Sequence, residues 1–270
     1  MLEVIADVAQ PATATIMLKL IGLDPNLWRE YAAPYHDFSF RRVPSDVAAR
    51  QLYHMSQRLI EDVKRVRQAP IEGTLLADLL QRPFKERPLS DEEIVTIITT
   101  LFGAGSETVQ ASIGTAVVYL GEHPEQRRRL IEEPALIVGA VEEFLRTLAA
   151  QPCIARTVTT DYKLGDVQLR KDDKVLLFWA AGNLDADRFP APFEVDFERH
   201  SNPHLSFGAG THKCLGMHLA RIEIATCIEA ILELIPDYRL REDELCLARD
   251  CSLIFGFERI PIEFQALGSP

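Results

Sequence analysis

Apolar residues along this chain recur mostly three and four apart, the helical spacing, and only briefly in alternation. Residues 1–20 read as a helix with Ile5, Ile16, Leu18 and Leu20 among its apolar positions, broken or kinked at Pro11. Gly22 to Pro25 is a turn, and Leu27 to Phe38 carries weaker helical character through Trp28, Tyr31 and Tyr35. A strong amphipathic helix runs from about Ser45 to Arg67, with Leu52, Met55, Leu59, Ile60 and Val63 on one side, and Pro70 stops it. Thr74 to Leu80 is a short apolar helix, and residues 83–88 are a polar connector.

Ser90 and Glu93 then have the spacing of a capping box. Helical spacing from Ile94 through Phe102, Val109 and Val117 to Leu120 predicts a helix of about 30 residues, roughly 45 Å long. Further helices are expected from His123 to Glu133 and from Val138 to Leu148. Ile154 to Leu164 alternates in strand fashion, Gly165-Asp166 turns and Val167 to Leu169 returns, which predicts a hairpin. Val175 to Ala181 is an apolar run leading to Asn183, and residues 188–199 are irregular, interrupted by Pro190 and Pro192. From Leu215 to Ile235 the spacing is helical again. Leu215, Leu219 and Ile222 fall on one side, and Met217, Ile224, Ile228 and Ile231 on the other, so a buried helix is expected, stopped by Pro236. Residues 240–264 read as short strands, with Phe255-Gly256-Phe257 at a turn. The pattern as a whole predicts a mainly α fold with minor β.

Composition narrows the function classes. At 270 residues and 47% hydrophobic, the chain can bury a sizeable core. A net charge of -11, with no basic run interleaved with aromatics, argues against nucleic-acid binding. The five cysteines are scattered, with no C-x-x-C pair, which suits a reducing cytoplasm better than a disulfide framework. The apolar N-terminus is interrupted by Glu3 and Asp7, and no membrane span is expected.

The candidate chemistry concentrates at Cys214. It sits where a Gly-containing loop, Phe207 to Lys213, gives way to the last long helix, and a helix N-terminus favours a thiolate. His212, Lys213 and Arg221 add positive charge to that end. The residues alone admit a buried structural cysteine, a zinc site from His212, Cys214 and His218, or a single axial thiolate to haem iron. A second concentration is Ala104-Gly105-Ser106-Glu107-Thr108, inside the long helix. Gly103 and Gly105 each cost about 1 kcal/mol against Ala there, so either helix packing or a ligand needs close approach. Glu143 and Arg146, three apart, face one side of their helix and can pair.

The run Phe207-Gly208-x-Gly210-x-His212-x-Cys214-Leu215-Gly216 resembles the haem-binding loop of the cytochrome P-450 family. The Ala104 to Thr108 pentad resembles that family's distal-helix motif, and Glu143-x-x-Arg146 its E-x-x-R pair, in the same chain order. The resemblance implies a single partial cytochrome P-450 domain over 1–270, lacking the family's N-terminal portion. It implies haem b (iron protoporphyrin IX) ligated by Cys214, with Phe207, Gly208 and Gly105 against the cofactor and Arg156, His204 and His212 at its propionates. Glu107 and Thr108 would be the acid and alcohol that deliver protons. The activity implied is a cytoplasmic monooxygenase acting with O2 on a small apolar substrate, with electrons from a ferredoxin or similar redox protein. Ile98, Leu101, Phe102, Ala104, Ile154 and Phe255 are the expected substrate wall. The implied alternative is a non-catalytic fragment that binds haem weakly or not at all. Where many members have Pro-x-Arg-Phe, this chain has Pro192-Phe193-Glu194-Val195, leaving Arg199 to stand in as third partner of the E-x-x-R pair.

Overall fold

The computed structural model describes residues 1–248 and 254–265. A short strand, β1 (Leu2–Glu3), leads into a π-helical turn over Val4–Ala9 that continues directly as α1 (Gln10–Ile21). The break expected at Pro11 is thus a widened turn: Gln10 N–H bonds to Ile5 O, just before the residue that has no N–H to give. The composite run Val4–Ile21 is long and apolar enough to cross a bilayer by length and composition, which corrects the expectation that no such stretch exists. Val4, Ile5, Ala9, Ala14, Leu18 and Ile21 are buried in the protein's own cores.

Three helices follow the periodicity closely: α2 (Trp28–Ser39), α3 (Ser45–Gln68) and α4 (Leu75–Gln81). The capping box then opens α5 (Asp91–Glu122): Glu93 N–H donates to Ser90 Oγ at 3.2 Å, and Ser90 N–H to Glu93 Oε2 at 2.9 Å. α5 is the axis of the fold. Its N-terminal half, Ile94 to Phe102, packs with α1 to α4 in one core. Its C-terminal half, Val109 to Leu120, lies in a second core shared with later helices, so one rod serves both.

After α6 (Pro124–Glu132) and α7 (Ile137–Thr147) the chain turns to short strands. The alternating stretch from Ile154 is not one strand. β2 (Ile154–Thr157) stops early, and β3 (Tyr162–Leu164) makes the expected hairpin with β4 (Val167–Leu169). β2 pairs instead with β5 (Lys174–Leu177), antiparallel, with Ile154 opposite Leu177. The apolar run then becomes α8 (Trp179–Asn183), and a long irregular segment leads to α9 (Met217–Leu234). The last strands are β6 (Arg239–Leu240), β7 (Cys246–Leu247), β8 (Phe257–Arg259) and β9 (Pro261–Glu263). β9 lies between β1 and β6, so the first and last described segments share one sheet.

α9 departs from expectation. Ile224, Ile228, Ile231 and Leu232 are buried against α5 and α7, but Ile222 is 63% exposed, and Leu215, which precedes the helix, is 85% exposed. Only one of its two apolar sides is covered. On the covered side, the Glu223 carboxyl is buried and its Oε2 has no partner among the described residues, so desolvation pushes it up to about 7. In the unfolded chain it ionises near pH 4.5, so native stability falls as pH rises from there to about 7 and stays lower above. Glu223→Gln should therefore leave stability unchanged at pH 4 and raise it by about 1–2 kcal/mol at pH 8, discounting for residual solvent. Urea unfolding at the two pH values checks this; equal gains at both would mean that Glu223 does not titrate in this range.

Candidate functional site

A buried ion pair on α7 anchors the site. Arg146 and Glu143 lie one turn apart, both sealed from water. Arg146 Nε and Nη2 donate to Glu143 Oε1 and Oε2 at 2.6 and 2.8 Å. Its other donors reach the carbonyls of Asn183, Pro192 and Glu194 at 3.1, 2.6 and 2.8 Å, so the whole guanidinium fork is used. Glu143 also accepts from Arg199 Nε at 3.1 Å, Asn202 Nδ2 at 2.9 Å and Asp196 N–H at 2.9 Å. Burial alone would raise the Glu143 carboxyl, but these donors, Arg146 foremost, hold it below the usual carboxylate range. Arg199 is thus the third side chain of the network, and Glu194 contributes through its backbone rather than its carboxylate. Gly139 permits the close approach of α7 to the irregular segment, since a Cβ there would run into Phe197 O.

The network reaches the cysteine loop through Asn183, at the end of α8 and fully buried. Asn183 Nδ2 donates to Arg146 O at 3.1 Å and to Ser206 Oγ at 2.8 Å, and its Oδ1 accepts Leu205 N–H at 2.6 Å. Ser206 Oγ donates to Leu145 O at 2.5 Å. The loop then closes on itself: Gly208 N–H bonds Leu205 O at 2.7 Å and Cys214 N–H bonds Phe207 O at 2.8 Å. Gly208 and Gly210 have φ of +66° and +70°, the left-handed region that side chains with a Cβ disfavour.

Cys214 itself is exposed, so a buried structural cysteine is excluded. By contrast, burial first and Glu223 second push the Cys227 thiol, inside α9, up to about 11. Behind the loop the Arg221 guanidinium lies 4.6 Å over the Phe207 ring and pairs with Glu142. Burial would raise Glu142, yet Arg221 and His204 bring it down to about 2. His204 corrects an expectation. Its Nδ1 accepts from Ser206 N–H at 3.2 Å, which leaves the proton on Nε2, 3.2 Å from Glu142. Both ring nitrogens are engaged inside the protein, and the imidazole braces the loop instead of facing a propionate.

On α5 the pentad splits between two faces. Gly105 faces Met17 of α1, where a Cβ would come within 2.6 Å of the sulphur, so its missing side chain serves helix packing. Glu107 is buried against His36 and Gln110. Ala104 is exposed and Thr108 half-buried one turn on, with Thr108 Oγ1 donating to Ala104 O at 2.7 Å. Of the expected substrate wall, Ile98 and Phe102 belong to the core, packed with Tyr31, whereas Leu101, Ala104, Ile154 and Phe255 retain exposure. Gly256 contacts Ala111, which brings the Phe255 turn to α5 beyond Thr108.

Arg156, on β2, and His212, in the cysteine loop, are exposed and have no carboxylate partner among the described residues. No group of three or more His, Cys, Asp or Glu able to hold a metal ion forms among the described residues, so His212, Cys214 and His218 do not build a zinc site. A lone open thiol, with Arg156 and the His212 imidazole left without carboxylate partners among the described residues, suits a flat anionic group that carries its own metal, as haem does. Asn183, Glu142 and His36 were not legible as site residues. The only sequence hint for Asn183 was a polar residue ending an apolar run.

Comparisons with known proteins point to one family. The family model described as Cytochrome P450 matches residues 46–235. The chain is 33% identical to the Biotin biosynthesis cytochrome P450 of Bacillus subtilis over 276 residues, covering 98% of this chain and 68% of that one. It is 28% identical to the Mycinamicin VIII C21 methyl hydroxylase of Micromonospora griseorubida, covering 97% of this chain and 67% of the relative. The crystal structure of CalO2 superposes with a TM-score of 0.89 at 30% identity, over 98% of this chain and 68% of that chain. The chain thus spans about two thirds of the length of these relatives.

Removing one partner of a buried, fully bonded ion pair strands the other charge. Glu143→Ala and Arg146→Ala should each destabilise the fold by about 3–5 kcal/mol, and Asn183→Ala by about 1–3 kcal/mol through its lost amide bonds. Thermal or urea melts equal to the parent's would place these groups outside the anchor.

Proposed function

This chain belongs to the cytochrome P450 family of monooxygenases, and on that premise we propose that it inserts one oxygen atom from O2 into a small apolar substrate in the cytoplasm. The observation that carries the reading is the exposed Cys214 thiol, held by its own N–H on Phe207 O and by the buried anchor behind the loop. Haem b, when bound, supplies oxygen activation and electron acceptance, and thiolate ligation favours O–O cleavage. Cys214 is its ligand. The Phe207 ring and the Gly208 backbone form the wall around the sulphur, and Arg221 beside it favours negative charge there. Arg156 and His212 pair with the two propionates, a role that guanidinium geometry suits well. Thr108 passes a proton from Oγ1 on the open side of α5, and Glu107 is the acid paired with it in the sequence motif. Leu101, Ala104, Ile154 and Phe255 exclude water and seat the substrate. A ferredoxin or similar redox protein brings the electrons.

A second reading has its own observation. Leu215, Ile222 and Phe178 are open to water in and around the cysteine segment, and open apolar patches favour association. On that reading the 270-residue chain by itself retains haem weakly, self-associates and turns over no substrate. The ratio of haem to protein after purification separates the two readings.

If Cys214 is the ligand, the reduced carbon monoxide complex shows the red-shifted Soret band of thiolate ligation. Cys214→Ala abolishes it, whereas Cys227→Ala, inside α9, leaves it intact. A Cys214→Ala protein that keeps the band would end the reading. For Thr108→Ala, haem content should stay normal while reducing equivalents divert to peroxide; equal product per electron in variant and parent would reduce Thr108 to a packing residue.

A further inference from the structure

The buried side of the pentad holds a group that the proposed chemistry has not used. His36 lies in the last turn of α2, and its imidazole is only 3% exposed. Its Nδ1 sits 3.3 Å from Glu107 Oε2 and 3.2 Å from Gln110 Nε2, so two residues one turn apart on α5 address one nitrogen. Glu107 and Gln110 are themselves buried, and Glu107 Oε1 and Gln110 Oε1 have no hydrogen-bond partner among the described residues. The Phe40 ring lies tilted against the imidazole, with centroids 4.8 Å apart, and packs with Ala111 and Ile254, closing the trio off from water.

An imidazole nitrogen offers either one N–H or one lone pair. An ionised carboxylate at Oε2 calls for the N–H, while the amide Nε2 calls for the lone pair. Both calls cannot be met while Glu107 is ionised and the amide keeps this orientation. Two arrangements resolve the conflict. In one, Glu107 carries the proton and points its O–H at the Nδ1 lone pair. In the other, Glu107 is ionised, Nδ1 carries the N–H that donates to it, and Gln110 turns its amide to present oxygen. Where Nε2 keeps its own proton throughout, passing from one to the other breaks the O–H bond at Oε2 and forms the N–H bond at Nδ1, with the pair's total charge unchanged.

We propose that His36 is the positioning residue of Glu107: its Nδ1 and Glu107 Oε2 share one proton, and the imidazole holds the carboxyl on the sealed side of α5. The shared proton stands on this geometry alone; its use in oxygen chemistry rests on the haem-thiolate reading above. Glu107 is then a proton store with a fixed address.

The test has a readout that needs no haem. In nitrogen-15 spectra of the histidine rings, the His36 Nδ1 resonance should move when Glu107→Gln is introduced, and should stay in place in Thr108→Ser. An Nδ1 resonance unmoved by Glu107→Gln, in a variant that melts like the parent, overturns the proposal. In haem-loaded protein, His36→Phe should raise the ratio of peroxide to product severalfold, and His36→Gln, whose amide can still donate to the carboxyl, should restore part of it. A ratio unchanged in His36→Phe overturns the positioning role. A parent that takes up no haem sinks the haem-thiolate reading instead, and leaves the nitrogen resonance to decide on the shared proton.

Discussion

The cysteine loop depends on a charge that water never reaches. Arg146 lies under the loop with every N–H donor engaged, and Glu143 beside it draws donors from Arg199, Asn202 and the Asp196 backbone. Burying such a pair costs several kcal/mol per ion unless all its valences are met. Meeting them here requires four separate segments to arrive in one place: α7, the end of α8, residues 190–202 and, through Asn183 and Ser206, the cysteine loop. The pair therefore acts less as a source of stability than as a registration device. Segments with little secondary structure of their own take up definite positions because only those positions satisfy the charges.

α5 plays the complementary part. It joins two apolar cores that would otherwise be separate, and in its middle it carries residues of opposite character on opposite sides. Gly105, Glu107 and Gln110 turn towards α1 and α2, while Ala104 and Thr108 turn outward. A polar stripe in a long apolar helix is tolerated because its members bond one another or the helix backbone, as Thr108 does to Ala104 O. The same rod thus offers a dry proton-bearing side and an open reactive side within one turn. The loop of Cys214 reaches it through α9 and α7, which share its second core.

Helices α3, α5 and α7 were legible because helical periodicity, caps and prolines are local signals, and the cysteine loop because its glycines and cysteine fall close together. The strand expected from Ile154 to Leu164 was misread because alternation does not name a partner; β2 found one in β5, beyond the hairpin. His204 differs from expectation for a similar reason. A histidine beside a cofactor loop looks like a donor to the cofactor, and nothing local reveals that Glu142, on another helix, has already claimed it.

The sequence by itself determined the helices, the loop that presents Cys214 and the family to which the chain belongs, because each is written in contiguous residues. Tertiary structure alone decided which side of each helix is covered and which polar groups find partners. That is why Ile222 is open while Ile224 is buried, why Gly105 faces Met17, and why Glu107 meets His36. Burial and pairing are properties of segments brought together from far along the chain, and a hydrogen bond between residues 36 and 107 leaves no trace in the spacing around either one.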